Sequence, residues 1–76
     1  MEKVLDILQA IRPEFNFSRG SGYIDDGMLD SFDVITLVSE LDAAFGISID
    51  GMEILPQNFN TLDSIVALVR NNGGRL

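Results

Sequence analysis

The 76-residue sequence contains no cysteine and no histidine. It therefore lacks a thiol nucleophile, the usual general base near neutral pH and the soft metal ligands, and these absences argue against an enzyme. Disulfide bonds are impossible, which is compatible with a reducing compartment. No apolar run approaches the roughly 20 residues that span a bilayer, and we expect a cytoplasmic protein with no membrane insertion.

Basic residues are also few. Five lysines and arginines stand against twelve acidic residues, which gives a net charge of −7. This charge repels phosphate backbones and anionic lipids, so we expect no nucleic-acid partner. It favours protein partners with basic patches, but many small proteins are acidic for solubility alone. The charge leaves both interpretations open.

Apolar residues recur at helical spacing in three stretches of the chain. The first covers residues 2–12 and should stop before Pro13, which disfavours helical geometry in the residue preceding it. The second covers residues 31–45, with Gly46 in the position that commonly closes a helix. The third follows Asn60. These stretches predict three amphipathic helices.

The third helix and the segment before it are less regular. Asn60 is predicted as the N-cap, with Asp63 at the third helical position in an arrangement that resembles a capping box. Residues 52–57 favour a short helical turn that Pro56 and Asn58 interrupt.

Between the first two helices, residues 14–29 show no sustained period of either kind. Small residues that favour turns punctuate this stretch: Gly20, Ser21, Gly22 and Gly27. Irregularly spaced apolar residues indicate a long surface loop pinned to the core. We predict an all-α four-helix bundle with three main helices, one short helix and this long loop. It should be one monomeric domain over residues 1–76, with a frayed tail from residue 70.

Ser31 is predicted as the first residue of the second helix. The ordinary interpretation is structural, because serine is among the best N-cap residues. No histidine is present and no lysine lies nearby in sequence, so Ser31 is not a self-activated nucleophile. A helix N-terminus also stabilises a phosphate, and a serine exposed there by a glycine turn can become a phosphodiester when another enzyme supplies the chemistry.

Phe32 points about 160° away from the core stripe that begins at Val34, onto the outer face of the helix. A large exposed aromatic side chain indicates a partner contact, unless Phe32 folds back onto the long loop. The candidate partner-binding residues are Asp30, Phe32, Asp33, Thr36, Ser39 and Glu40. Ile35, about 100° from the core line, either lines a pocket or simply packs.

An acidic helical chain can also be a calcium-binding protein. An EF-hand loop needs acids at its first, third and fifth positions and glycine at its sixth. With Gly27 at the sixth position the first is Gly22, and with Gly51 the first is Gly46. Both frames fail, and we expect no metal site.

The sequence Asp30-Ser31-Phe32-Asp33, with the apolar stripe behind it and Gly46-Ile47 after it, resembles the acyl and peptidyl carrier proteins. An Asp-Ser-Leu triplet opens the second helix of a four-helix bundle in that family, and here Phe32 replaces the leucine. The resemblance covers nearly the whole chain. Residues 53–62 are similar to the family's approach to its last helix.

The resemblance implies a carrier and not a catalyst. Ser31 would receive 4′-phosphopantetheine from coenzyme A through a separate magnesium-dependent phosphopantetheinyl transferase. The thiol of that arm would hold an acyl or aminoacyl thioester for adenylating enzymes and downstream transferases or synthases. Residues 55–61 are more similar to carriers of amino acids, including D-alanine, or of specialised metabolites. The alternative function is an unmodified acidic helical adaptor that binds a basic protein.

Overall fold

The computed structural model describes residues 2–18 and 22–75 of the chain. Within these ranges there are four α-helices and no β-strand: α1 (Glu2–Ile11), α2 (Ser31–Phe45), α3 (Pro56–Phe59) and α4 (Leu62–Asn71). The predicted all-α fold, with three main helices, one short helix and a long loop after the first, is confirmed. Gly20 and Ser21, predicted as turn residues of that loop, lie outside the described residues. No helix in the described ranges is both long and apolar enough to cross a bilayer.

The hydrophobic core is assembled from the apolar stripes of the three main helices. The buried apolar residues of α2 recur at helical spacing: Val34, Leu37, Val38 and Leu41. Leu37 and Leu41 have no exposed surface. The long loop and α3 add large side chains to the same core, among them Phe17, Tyr23 and Phe59. The predicted inward face of α2 is therefore confirmed for its first four positions.

The long loop is pinned to the bundle on both sides of Tyr23, as predicted. The Tyr23 ring stands edge-on to Phe17 with 5.0 Å between ring centroids, and its hydroxyl donates to the Phe17 carbonyl. Its backbone N–H donates to the Asn60 carbonyl at 2.8 Å. The Asn60 side chain accepts from the backbone N–H of Ile24 at 2.9 Å. These contacts tie the loop to the segment that leads into α4.

The predicted interruption at Pro56 is wrong. A 3₁₀ turn over Gly51–Glu53, capped by Asp50, replaces the helical turn expected over residues 52–57. α3 begins at Pro56 instead. Proline suits the first position of a helix because its fixed φ is already helical and its missing N–H would have no partner there.

The predicted cap of the last helix is wrong by one residue. Thr61, not Asn60, is the N-cap, and its hydroxyl accepts from the backbone N–H of Ser64 at 3.0 Å. The Ser64 hydroxyl accepts from the Thr61 backbone N–H at 3.2 Å, which completes a capping box in place of the one expected with Asp63. Asn60 is thereby free to hold the long loop.

The C-terminal end of α4 extends into the tail predicted from residue 70. Helical geometry continues through Asn71, and the backbone N–H of Gly74 donates to the Val69 carbonyl at 2.9 Å. Leu76 lies outside the described residues. The single domain and the frayed tail stay predictions.

Candidate functional site

The N-terminus of α2 is capped by Asp30 and not by Ser31. The Asp30 carboxylate accepts from the Asp33 backbone N–H at 2.8 Å, and the Asp33 carboxylate accepts from the Asp30 backbone N–H at 3.2 Å. This is a complete capping box, so two unpaired donors of the first turn are satisfied without Ser31. The capping interpretation of Ser31 is therefore wrong. Ser31 is the first helical residue, and its side chain is exposed.

A turn at Gly27 delivers Ser31 to this position. Gly27 has a φ of 76°, a left-handed conformation that other residues adopt at a cost. Its backbone N–H donates to the Ile24 carbonyl at 3.1 Å, and the N–H of the buried Leu29 donates to Tyr23 at 3.0 Å. The chain is therefore anchored immediately before Asp30, and Ser31 stands in solvent at the positive end of a 15-residue helix.

Arg12 joins the capping box to α1. Its Nε donates to Asp33 Oδ2 at 2.7 Å, and its Nη2 to Asp30 Oδ2 at 3.3 Å. A third contact runs from Nη1 to Glu14 Oε2 at 3.3 Å. The sequence pattern indicated only that Arg12 stands at the end of the first helix. No local signal connects it with carboxylates 18 and 21 residues away.

Asp33 is held by this network as an ionised carboxylate. Its burial raises the pKa of the carboxyl, but the Arg12 hydrogen bond, the Asp30 backbone N–H and the Arg12 charge together bring the pKa below its ordinary value of 3.8. The hydrogen bond to Asp33 is in turn the main cause that raises the pKa of Arg12.

Most of the Asp33 side chain is engaged within the chain itself, and the partner contact predicted for it stays a prediction. The Asp33 side chain is only 13% exposed, against 59% for Asp30. Its carboxylate oxygen already accepts from Arg12 and from the Asp30 backbone. Asp33 therefore orients the start of α2.

The outer face of α2 presents Phe32, which is 77% exposed. Phe32 does not fold back onto the long loop. It stands at the edge of a groove of about 540 Å³ between α1 and α2, which Thr36 and Glu40 also line. Ser39 and Glu40 are exposed, while Thr36 is half-buried and its hydroxyl donates to the Phe32 carbonyl at 3.2 Å.

An apolar cavity of about 440 Å³ opens on the other side of Ser31. α2 contributes Ile35, which is 63% exposed and so faces this opening instead of packing in the core. The segment before α3 contributes Ile54 and Leu55, and the buried Phe59 closes the inner wall. Ser31 thus lies between a groove with acidic residues and an apolar cavity.

The chain is similar to known carrier proteins over most of its length. The family described as "Phosphopantetheine attachment site" matches residues 24–69, more than half of the chain and all of α2. The chain is 34% identical over 71 residues to the D-alanyl carrier protein of Lactococcus lactis subsp. cremoris, strain MG1363, covering 91% of this chain and 90% of that protein. The D-alanyl carrier protein of Lactococcus lactis subsp. lactis, strain IL1403, is 32% identical over the same coverage. No solved structure matches the chain significantly.

Proposed function

The chain belongs to the phosphopantetheine carrier protein family, and on that premise we propose that Ser31 is the residue to which its 4′-phosphopantetheine is attached. The main support for this proposal is that the helix cap and the exposed serine are two different residues at the start of α2. Asp30 supplies the cap, so the Ser31 hydroxyl is left exposed at the positive end of the helix. The free N–H donors and partial positive charge of a helix N-terminus stabilise the phosphodiester that attachment creates there.

Ser31 is the nucleophile in this attachment, and a separate transferase activates it. Ser31 Oγ bonds to the phosphorus that carries the pantetheine of coenzyme A, the bond from that phosphorus to the 3′,5′-ADP leaving group breaks, and the hydroxyl proton passes to a base of the transferase. The attached group supplies a thiol that the chain itself lacks, since the sequence contains no cysteine. An acyl or aminoacyl group held as a thioester is then presented to other enzymes, and this chain catalyses no step.

For the cargo, an amino acid such as D-alanine is the better proposal. The relatives that match over nine-tenths of their length are named D-alanyl carrier proteins. The cavity beside Ser31 is lined mainly by apolar side chains. Burying the ammonium group of an aminoacyl thioester there would be unfavourable, so an aminoacyl cargo remains in solvent at the end of its arm.

The surface proposed for enzyme partners consists of exposed or half-exposed residues on both sides of the attachment point: Asp30, Phe32, Thr36, Ser39 and Glu40. Phe32 offers an apolar anchor, and Glu40 lies two turns further along α2 at the wall of the same groove. A basic residue beside an apolar one on a partner would match this pattern. The transferase, the adenylating enzyme and the downstream enzymes are the partners proposed for it.

Titration of thiols tests the carrier function. After incubation with coenzyme A, Mg²⁺ and a broad-specificity phosphopantetheinyl transferase, the wild-type chain should gain one titratable thiol, and Ser31→Ala should gain none. A folded wild-type chain that gains no thiol would favour the unmodified adaptor.

The cargo is tested separately on the modified chain. With ATP and a D-alanine-adenylating ligase, a D-alanyl thioester should form that hydroxylamine releases. Loading of a fatty acyl group by an acyl-activating enzyme, with no loading of D-alanine, would contradict the proposed cargo and leave the attachment at Ser31 intact.

A further inference from the structure

Arg12 connects the end of α1 with the residues on both sides of Ser31. It makes all three ion pairs found within residues 2–18 and 22–75: with Asp33 at 2.7 Å, and with Asp30 and Glu14 at 3.3 Å each. Two of these partners are the capping-box carboxylates. The Arg12 guanidinium therefore contacts the same short segment that contains Ser31, the proposed attachment point.

The contacts form a closed ring around Ser31 and Phe32. Asp30 and Asp33 are joined by two capping hydrogen bonds, and Arg12 bridges their side chains from outside the helix. A guanidinium can hold two carboxylates at once because its N–H groups are fixed in a planar fork, whereas a lysine ammonium offers a single point. The direction in which the Ser31 side chain leaves the backbone is thus fixed from α1 as well as from α2.

The charges around the ring also bear on attachment. Transfer of the arm creates an anionic phosphodiester next to Asp30 and Asp33, on a chain whose net charge is −7. Carboxylates so close to the new anion oppose its formation, and the partial charge of the helix N-terminus offsets them only in part. Arg12 places a full positive charge between the two carboxylates.

We propose that Arg12 is a positioning residue for attachment of the arm, because it orients the Asp30–Asp33 capping box and offsets the carboxylate charge beside Ser31. This role rests on the proposed attachment at Ser31. The Arg12 side chain donates to Asp33, Asp30 and Glu14 and makes no hydrogen bond to Ser31, so its effect passes through Asp30 and Asp33.

Initial rates of arm addition test this role in the full chain, with coenzyme A, Mg²⁺ and a broad-specificity phosphopantetheinyl transferase. Arg12→Gln removes both the charge and the fork, while Arg12→Lys keeps the charge alone. Arg70→Gln is the matched control, because Arg70 is an exposed arginine in the last turn of α4 and is not among the residues that line the α1–α2 groove or the cavity beside Ser31. Arg12→Gln and Arg70→Gln change the net charge equally, so any difference between their rates reflects position. Thermal unfolding of each variant confirms that it is folded at the assay temperature.

We expect kcat/KM for the carrier to fall about tenfold in Arg12→Gln, the factor that corresponds to losing one charge-assisted contact. Arg70→Gln should stay within about twofold of wild type, as for a surface change outside the site. Raising the salt concentration from about 0.05 to about 0.5 M should narrow the difference in kcat/KM between Arg12→Gln and wild type, because salt screens the exposed Asp30 carboxylate. The kcat/KM of Arg12→Lys should lie between those of Arg12→Gln and wild type.

Two results would overturn the role of Arg12. One is a rate for Arg12→Gln equal to that of Arg70→Gln. The other is a loss that neither salt nor Arg12→Lys relieves, which is the behaviour of a residue that only stabilises the fold. A wild-type chain that gains no arm at all would instead overturn the attachment at Ser31, so the two failures are distinguishable.

Discussion

Asp30 and Ser31 are neighbours with similar capping propensity, yet they perform different tasks. The Asp30 carboxylate accepts from the Asp33 backbone N–H, while Ser31 is exposed and supplies no cap. If the attachment residue were also the helix cap, its capping contact would change when the hydroxyl became a phosphodiester. With Asp30 as the cap, the side-chain cap of α2 does not depend on the proposed modification of Ser31.

The first prediction separates these two tasks by stability. Asp30→Ala should lower the free energy of unfolding by about 1 kcal/mol, because it removes the side-chain cap. Ser31→Ala should change it by less than about 0.5 kcal/mol, since the serine makes no capping contact. Urea unfolding followed by circular dichroism measures both. A larger loss for Ser31→Ala than for Asp30→Ala would show that the serine caps the helix.

At the scale of whole elements, α2 has two faces with different tasks. Leu37 on the inner face has no exposed surface, whereas Phe32 on the outer face is almost fully solvated at its end of the groove. Both are large apolar side chains on one helix. Leu37 is buried in the core, whereas most of the Phe32 side chain is exposed. For that reason we assign Phe32 to partner binding.

The second prediction compares the two faces. Leu37→Ala should cost about 2–5 kcal/mol of unfolding free energy, as truncations in a packed core do. Phe32→Ala should cost less than about 0.5 kcal/mol and should raise KM for the carrier in arm addition or cargo loading. Paired urea unfolding and enzyme kinetics check both variants. A loss of stability in Phe32→Ala comparable to that of Leu37→Ala would place Phe32 in the core.

The long loop between α1 and α2 depends on a buried tyrosine. Burial of Tyr23, followed by the charge of Asp63, raises the pKa of its hydroxyl above 10.0. The folded state therefore favours the neutral phenol. The resulting stability is fully present below pH 10 and is lost as the pH rises through the raised folded-state pKa.

The raised pKa of Tyr23 predicts a loss of stability at alkaline pH. Stability of the wild-type chain should decline more steeply above pH 10 than that of Tyr23→Phe, which keeps the ring but has no ionisable hydroxyl. Tyr23 is the only tyrosine and tryptophan is absent, so ultraviolet absorbance of tyrosinate reports this residue alone. Equal alkaline declines in the two proteins would contradict the buried, neutral phenol.

Periodicity was sufficient to predict the helices, because the apolar stripes of α1, α2 and α4 are local features of the sequence. It also placed Phe32 on the outer face. Caps were harder to place, since Asp30 and Ser31, or Asn60 and Thr61, are adjacent residues with similar propensity. The choice between them depends on which donor each side chain reaches in three dimensions.

The Arg12 network could not be predicted from sequence for a different reason. Its partners lie 18 and 21 residues further along the chain, across a loop with no regular pattern. Only the packing of α1 against the start of α2 brings them together. The burial of Asp33 has the same origin, so the small exposure of its side chain could not be predicted from the sequence.

At the scale of the whole molecule, the chain is a small acidic bundle in which Ser31, the proposed attachment point, lies between two openings. The α1–α2 groove offers acidic and aromatic groups, and the cavity beside α3 offers apolar ones. No cysteine competes with the thiol of the attached arm. These features fit a carrier that several enzymes handle in turn.

Peptide mass mapping shows directly whether Ser31 is the residue that carries the arm. After treatment with coenzyme A, Mg²⁺ and a broad-specificity transferase, one phosphopantetheine should be found on the peptide that contains Ser31. Ser48→Ala, which alters an exposed serine outside the site, should keep the modification, and Ser31→Ala should lose it. Modification of another serine, or a folded wild-type chain that stays unmodified, would show that Ser31 is not the attachment point.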